Sequence, residues 1–288
     1  MQVTAPPSSA TDVAFAAQLA CMLEASAPKP GNVTPLHGFH DARYEDFLAS
    51  AAAIGPVFAA AGDAPLGRLI HGAVEATARR TRANTNLGIV LLLAPIARAA
   101  RMAGDEPLRD RLAHVLASTT VDDAAEVYAA IRLAQPGGLG RAAEQDVSES
   151  PSVPLRETMA LAGDRDAVAR EYVTDFAITF EVGAPAVERA RADGLPWSDA
   201  TLETYLVLLS AQPDTLVTRK LGADRAAAIS RDAGAALAAG GVRSRAGRVA
   251  VAELDRALRD ARNRENPGTT ADLTAAALFV HLLGGGWP

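Results

Sequence analysis

Asn84-Thr85-Asn86-Leu87-Gly88-Ile89-Val90-Leu91-Leu92-Leu93-Ala94-Pro95-Ile96-Ala97-Arg98-Ala99-Ala100-Arg101-Met102-Ala103 is the stretch that decides the fold. Its first residues are polar, and Thr85 is a good N-cap for a helix that starts there. From Leu87 onward apolar residues fall on every side of a helical wheel, so this helix is expected at the centre of the molecule. The unbroken apolar run, Leu87 to Ala97, is too short to cross a bilayer and contains Pro95.

Working outward, amphipathic helical patterns recur on both sides of this segment. Before it they cover Thr11–Ala27, Tyr44–Ala61 (with Gly55-Pro56 as a possible kink) and Pro65–Arg80. After it come Pro107–Ser118, Val121–Ala134, Leu155–Leu161, Asp166–Phe180, Ala184–Ala192, Ser198–Ser210, Thr215–Leu221, Asp224–Ala239, Ala246–Ala261 and Ala271–Leu283. No segment alternates as a strand would, and no fixed-period repeat suggests a solenoid. The expected fold is all-α: a single-domain, multi-helix orthogonal bundle of about 11–14 helices, with the active site at helix N-termini and interhelix loops. Residues 1–10 are expected to be a disordered tail and residues 11–288 one catalytic domain. Gln135 to Val153, rich in glycine and proline, is the longest irregular stretch.

Composition narrows the function. The net charge is −6, so no broadly basic face for nucleic acid is implied, and phosphate recognition must be local. The N-terminus lacks the charged and apolar regions of a signal peptide. The one cysteine, Cys21, sits in a helical pattern and reads as a small core residue, which together with the absent leader suggests the cytoplasm. Of the 28 cationic residues only Lys29 and Lys220 are lysine.

Polar residues collect at five loop-to-helix junctions, and four of the five asparagines fall among them. Pro28-Lys29-Pro30-Gly31-Asn32 holds a lysine on stiff backbone, a positioned charge for phosphate or else a plain interhelix turn; His40 and Asp41 come soon after. Asn84, Thr85 and Asn86 open the apolar helix, where free N–H groups favour an anion and Gly88 permits close approach; Glu75 on the preceding helix can face the same place. Gly137-Gly138-Leu139-Gly140-Arg141 leads to Glu144 and Asp146, able to close over a ligand or simply to form an acidic loop. Asp214 precedes Arg219 and Lys220, an acid for a metal and cations for phosphates, or a helix cap. Asn266-Pro267-Gly268-Thr269-Thr270-Ala271-Asp272 delivers another helix start, with Thr269 and Asp272 at near-capping-box spacing. Taken together, these are the parts from which a helical protein can build a Mg²⁺-polyphosphate site without a P-loop.

The five segments, in this order, resemble the triphosphoribosyl-dephospho-CoA synthase family from about Glu24 to Leu283. The resemblance is carried by Pro28 to Gly31, by Asp214-Thr215 with Arg219, and by Asn266 to Leu273. Two departures stand out: Asn86 and Leu87 replace the family's His and Lys, and His40 is followed directly by Asp41. The resemblance implies a transferase. It joins the triphosphoribosyl group of ATP to the 2′-hydroxyl of 3′-dephospho-CoA, with Mg²⁺, and releases adenine. It implies Asp41, Asp214 and His40 as catalytic candidates. Lys29, Asn32, Asn84, Thr85, Asn86, Arg219, Lys220, Asn266, Gly268 and Thr269 are the nucleotide-binding candidates, and Asp41, Asp214, Glu75, Glu144 and Asp146 the metal ligands. Replacing Asp214 is then expected to abolish turnover and spare the fold. Partners are small molecules, with no nucleic acid or membrane and with a homodimer in view. Two other readings stand beside this one: a same-fold Mg-ATP transferase with another acceptor, such as a one-carbon carrier, and a helical nucleotide-binding protein without catalysis.

Overall fold

A computed structural model describes residues 8–62, 64–137, 140 and 142–287, and every regular element among them is helical. The α-helices are α1 (Ala10–Ser26), α2 (Tyr44–Ala59), α3 (Leu66–Ala78), α4 (Leu87–Ala100), α5 (Leu108–Ala117), α6 (Val121–Ala134) and α7 (Leu155–Ala160). They continue with α8 (Ala167–Val173), α9 (Ala184–Ala192), α10 (Trp197–Ala211), α11 (Thr215–Leu221), α12 (Ala223–Ala238), α13 (Arg245–Leu258) and α14 (Gly268–Leu283). A π-helical turn, Ile178–Gly183, precedes α9, and a 3₁₀ turn, Gly241–Arg243, precedes α13. None of these helices is long and apolar enough to cross a membrane.

The apolar-all-round helix is central, as its pattern requires: from Ile89 to Ala100 every residue of α4 except Arg98 is buried. It packs against α14, whose Ala275 to Val280 are also buried without interruption. Around this pair α1, α2, α3 and α5 to α8 complete the main core, and α10 to α13 gather a smaller one on Tyr205, Leu206, Leu209 and Ile229. Of the tail expected over residues 1–10, residues 1–7 lie outside the described residues. Ser9 instead caps α1, in a reciprocal bond with Asp12, and Ser8 is tied to Ala100.

Two helices carry internal prolines, and both are repaired in the same way. Proline has no N–H to give the carbonyl four residues back, so Pro95 frees Leu91 and Pro56 frees Ala52. The Leu91 carbonyl accepts the hydroxyl of the buried Tyr172 at 2.7 Å, and the Ala52 carbonyl accepts the Gln18 amide at 2.9 Å. Each freed acceptor thus becomes a tie between helices.

The helix expected over Asp166–Phe180 breaks. Asp175 and Phe176 adopt positive φ (49° and 59°), separating α8 from the π-helical turn. The reason is Glu171, wholly buried, whose carboxylate accepts the N–H groups of Ile178 and Thr179 at 2.9 Å each and so starts a second helix. Burial raises the pKa of Glu171 despite those bonds.

Tyr172→Phe keeps the ring and orphans the Leu91 carbonyl in the core. It should destabilise the protein by about 1–3 kcal/mol in urea unfolding; an unchanged midpoint would show that Pro95 needs no such partner.

Candidate active site

The segments singled out by sequence, far apart along the chain, open on one cavity of about 820 Å³. Its walls are the turn after α1 (Asn32, His40, Asp41), the start of α4 (Asn84 to Gly88) and the C-terminal end of α6. The loop through Glu144 and Asp146, the α7–α8 connection, one face of α11, and the turn and first residues of α14 complete it.

Cations and carboxylates share this lining. Arg219 and Lys220, successive residues of α11, both line the cavity, as do Arg82, Arg165 and Arg262. Arg219 is fixed by an ion pair with Asp166, whose other oxygen caps α8 through Val168 and Ala169. Lys220 donates to the Asn266 amide oxygen at 3.0 Å, which uses one of its three protons. Burial lowers the Lys220 pKa, opposed chiefly by Asp214 and, more weakly, by Asp41 and Asp260. An arriving polyanion would favour its charged form.

Two carboxylates that the sequence pattern did not reveal face the same space. Glu24 projects from the otherwise small, apolar buried stripe of α1, and Asp272 from the apolar body of α14. Among the described residues Asp272 accepts no hydrogen bond. Its pKa is held well above the ordinary carboxylate range, by burial first and then by the negative charges of Glu24, Asp214 and Asp166. Asp272 reaches this place because position 88 is glycine: a Cβ there would collide with its carboxyl group. The legible signal in both cases was an acid set within a buried helical stripe. The spacing of Asp272 from Thr269 suggests a cap, but α14 begins at Gly268 and Asp272 lies inside it.

The remaining expected residues divide between the cavity and its supports. Asn32, Asn84, Thr85, Asn86, Asn266, Gly268 and Thr269 line the cavity. The cap at α4 differs from expectation: Asn84 supplies the acceptor, to Leu87 N–H at 3.2 Å, while Thr85 bonds Ser50 at 2.5 Å and the Asn86 amide bonds Thr77 at 3.0 Å. His40 and Asp41 stand exposed at the rim, 3.6 Å apart, with His40 also 2.9 Å from the Asn263 amide. Glu144 and Asp146 also line the cavity, Asp146 turned back onto Ala142 and Ser148. Gly138, Leu139 and Arg141 of that loop lie outside the described residues.

Three expectations are corrected. Lys29 does not reach the cavity: its ammonium is fully buried, 3.0 Å from Glu24 Oε1 and bonded to the main-chain carbonyls of Glu24 and Ala27. The stiff Pro-Lys-Pro turn therefore aims the charge inward, where it fixes Glu24; Gly31, at φ +72° and packed on Leu258, lets the chain turn away. Asp214 is not free for base or metal chemistry. Its Oδ1 accepts Leu216 and Val217 N–H at 2.9 and 3.0 Å, and its Oδ2 accepts Thr270 N–H and Oγ–H at 2.7 and 2.8 Å. Glu75 is exposed, pairs with Arg79 and does not line the cavity.

An all-helical scaffold that brings arginines, a lysine, helix starts and acids to one large cleft has the parts that polyphosphate recognition needs. The family is given by comparison: the model of the ATP:dephospho-CoA triphosphoribosyl transferase family matches residues 10–288, and the chain belongs to that family. A Pseudomonas aeruginosa (strain UCBPP-PA14) relative, named a probable 2-(5''-triphosphoribosyl)-3'-dephosphocoenzyme-A synthase, is 35% identical over 144 residues, 49% of this chain and 47% of its own. The Klebsiella pneumoniae 2-(5''-triphosphoribosyl)-3'-dephosphocoenzyme-A synthase is 38% identical over 101 residues, 35% of each chain. The matches thus span about half or less of the length of these curated relatives. A crystal structure of an Archaeoglobus fulgidus protein, assigned as a triphosphoribosyl-dephospho-CoA synthase, superposes with a TM-score of 0.65 at 30% identity, covering 83% of this chain and 99% of that one.

The buried Asp214 and the half-buried Asp272 should respond oppositely to substitution. Asp214→Ala strands three backbone N–H groups and should cost at least about 2 kcal/mol in denaturant unfolding. Asp272→Asn removes a carboxyl whose folded state favours the proton, so the parent loses stability as pH rises from the ordinary carboxylate range through its raised pKa. The variant should be the more stable protein at pH 7, with the gap closing toward about pH 4; a destabilised Asp272→Asn at pH 7 would contradict the unpartnered placement.

Proposed function

We propose that this protein transfers the 5-triphosphoribosyl group of ATP to the 2′-hydroxyl of 3′-dephospho-CoA, releasing adenine. The observation that carries this reading is that Arg219 and Lys220 on α11 and the acids Glu24 and Asp272 line one cavity with the start of α4. A triphosphate is bound by the first pair, and the Mg²⁺ that accompanies it is held by the second. In the reaction the bond from ribose C1′ to adenine breaks and a bond from C1′ to the acceptor oxygen forms. The acceptor hydroxyl gives up a proton and the departing adenine gains one. The transition state is oxocarbenium-like, so fixed negative charge near C1′ lowers its energy.

The residues fit Mg²⁺. Mg²⁺ uses one or two carboxylates together with substrate phosphates, and Glu24 and Asp272 are such a pair, mutually repulsive and, in Asp272, without a hydrogen-bond donor among the described residues. These two would hold the ion, which when bound supplies charge neutralisation to the triphosphate. Lys29 keeps Glu24 in position, and Gly88 leaves room for Asp272. In this reading Asp41, which lines the cavity beside His40, accepts the hydroxyl proton. Helix starts add N–H donors at α4, where Asn84 occupies only Leu87; at α14 the Thr270 N–H is already held by Asp214.

A second acceptor remains a distinct reading because of positions 86 and 87. Asn86 is buried and spends its amide on Thr77, and Leu87 brings no charge, so this wall recognises less anion than the family's His and Lys would. The reaction is set in the cytoplasm in this reading.

Incubation with ATP, Mg²⁺ and dephospho-CoA should yield free adenine and an adduct of triphosphoribose with dephospho-CoA by mass analysis. Asp272→Asn should lower the rate by at least about a hundredfold. Formation of ADP or AMP in place of adenine would overturn the reaction class, and adenine release without a dephospho-CoA adduct would move the proposal to the other acceptor.

A further inference from the structure

Leu133, near the end of α6, and Leu161, just after α7, are 43% and 51% exposed, and both line the cavity. Single exposed leucines are ordinary. Two from different elements line one cavity together with Ile131 and the buried Met159, and the four give part of its wall an apolar lining, a shelf. Tyr128, on the same helix, ties the rim to α6 by donating its hydroxyl to the Gln145 carbonyl. The shelf ends where the cations begin: a single turn, closed by Arg165 and Asp166 N–H onto the Ala162 carbonyl, joins Leu161 to Arg165 and to the Asp166–Arg219 pair.

A ligand that spans this boundary must be anionic at one end and largely apolar at the other. The donor nucleotide has no such tail. The acceptor does, because its diphosphate continues into a pantetheine chain. We infer that Ile131, Leu133, Met159 and Leu161 seat the pantetheine arm of the acceptor, with Arg165 at the diphosphate; this rests on the transfer reaction proposed above. The shelf is then a specificity surface, selecting an acceptor by the arm that lies remote from the reacting hydroxyl.

The test is calorimetric titration of the full chain with dephospho-CoA and with ADP, which shares the adenosine diphosphate and lacks the arm. Both ligands are also titrated into the Leu133→Asn/Leu161→Asn variant. Dephospho-CoA should bind the parent more tightly than ADP and should weaken by about tenfold or more in the variant, whereas ADP stays within about twofold. Both positions are exposed, so the thermal midpoint should hold; Leu161→Ala alone should give the same ordering with a smaller loss. Equal affinity of the parent for the two ligands, or parallel loss of both or of neither in the variants, overturns the shelf. An adenine-release assay on the same preparations separates the two ideas. Release with unchanged dephospho-CoA binding in the variants sinks the shelf alone. Arm-dependent binding without any adenine leaves the shelf standing and sinks the reaction.

Discussion

The Asp214 carboxylate is the joint on which the site depends. Four hydrogen bonds spend its two oxygens on the first turns of α11 and α14, clamping together segments 56 residues apart. Arg219 and Lys220 ride on one of those helices and Asp272 on the other, so their meeting in one cavity is a consequence of the clamp. The raised pKa of Asp214 reflects the burial that makes this possible, and the four donors are what offset it. A residue can therefore be indispensable to the site without touching any ligand.

The same logic separates the two acids that do face the cavity, the buried Glu24 and the half-buried Asp272. Glu24 is held by Lys29, a pair that contributes little net stability but is costly to break because the survivor would be left charged in the interior. Asp272 has no such partner among the described residues, and Glu24 adds to its difficulty. A fold selected for stability alone would have apolar side chains at both positions, as elsewhere on α1 and α14. Unfavourable charge in a cleft that also holds arginines is what the proposed reading, a cation together with a polyanion, requires.

The helices were legible because their period and breakers are local properties. α6, α9 and α11 match their expected bounds residue for residue, and α4 is central because nothing on its surface but Arg98 suits water. The break at Asp175 was not legible, since it depends on the Glu171 carboxylate folding back to start a new helix, a contact that no periodicity encodes. The cavity was half legible. Polar junctions marked which segments would meet, but not which way each side chain turns. Lys29 looked like a phosphate ligand because lysine between prolines is rigid; rigidity fixes a direction, and here the direction is inward. Asp214 showed both a cap and a metal ligand in sequence, and only the Thr270 contact from far along the chain decides for the cap. Glu24 and Asp272 were hidden by their setting, because a single acid in a run of alanine and leucine adds little to any pattern.

In the proposed reading Arg219 and Lys220 form the polyphosphate half of a cleft that distant segments complete, and every functional step proposed for this chain relies on that. The most direct measurement is the affinity of inorganic triphosphate, with no nucleoside attached, for the parent chain and for Arg219→Ala/Lys220→Ala. Binding that weakens by about tenfold or more in the double variant, with a steep dependence on salt in the parent, is the predicted result. Triphosphate that binds both proteins alike would place the anion elsewhere and contradict the assignment.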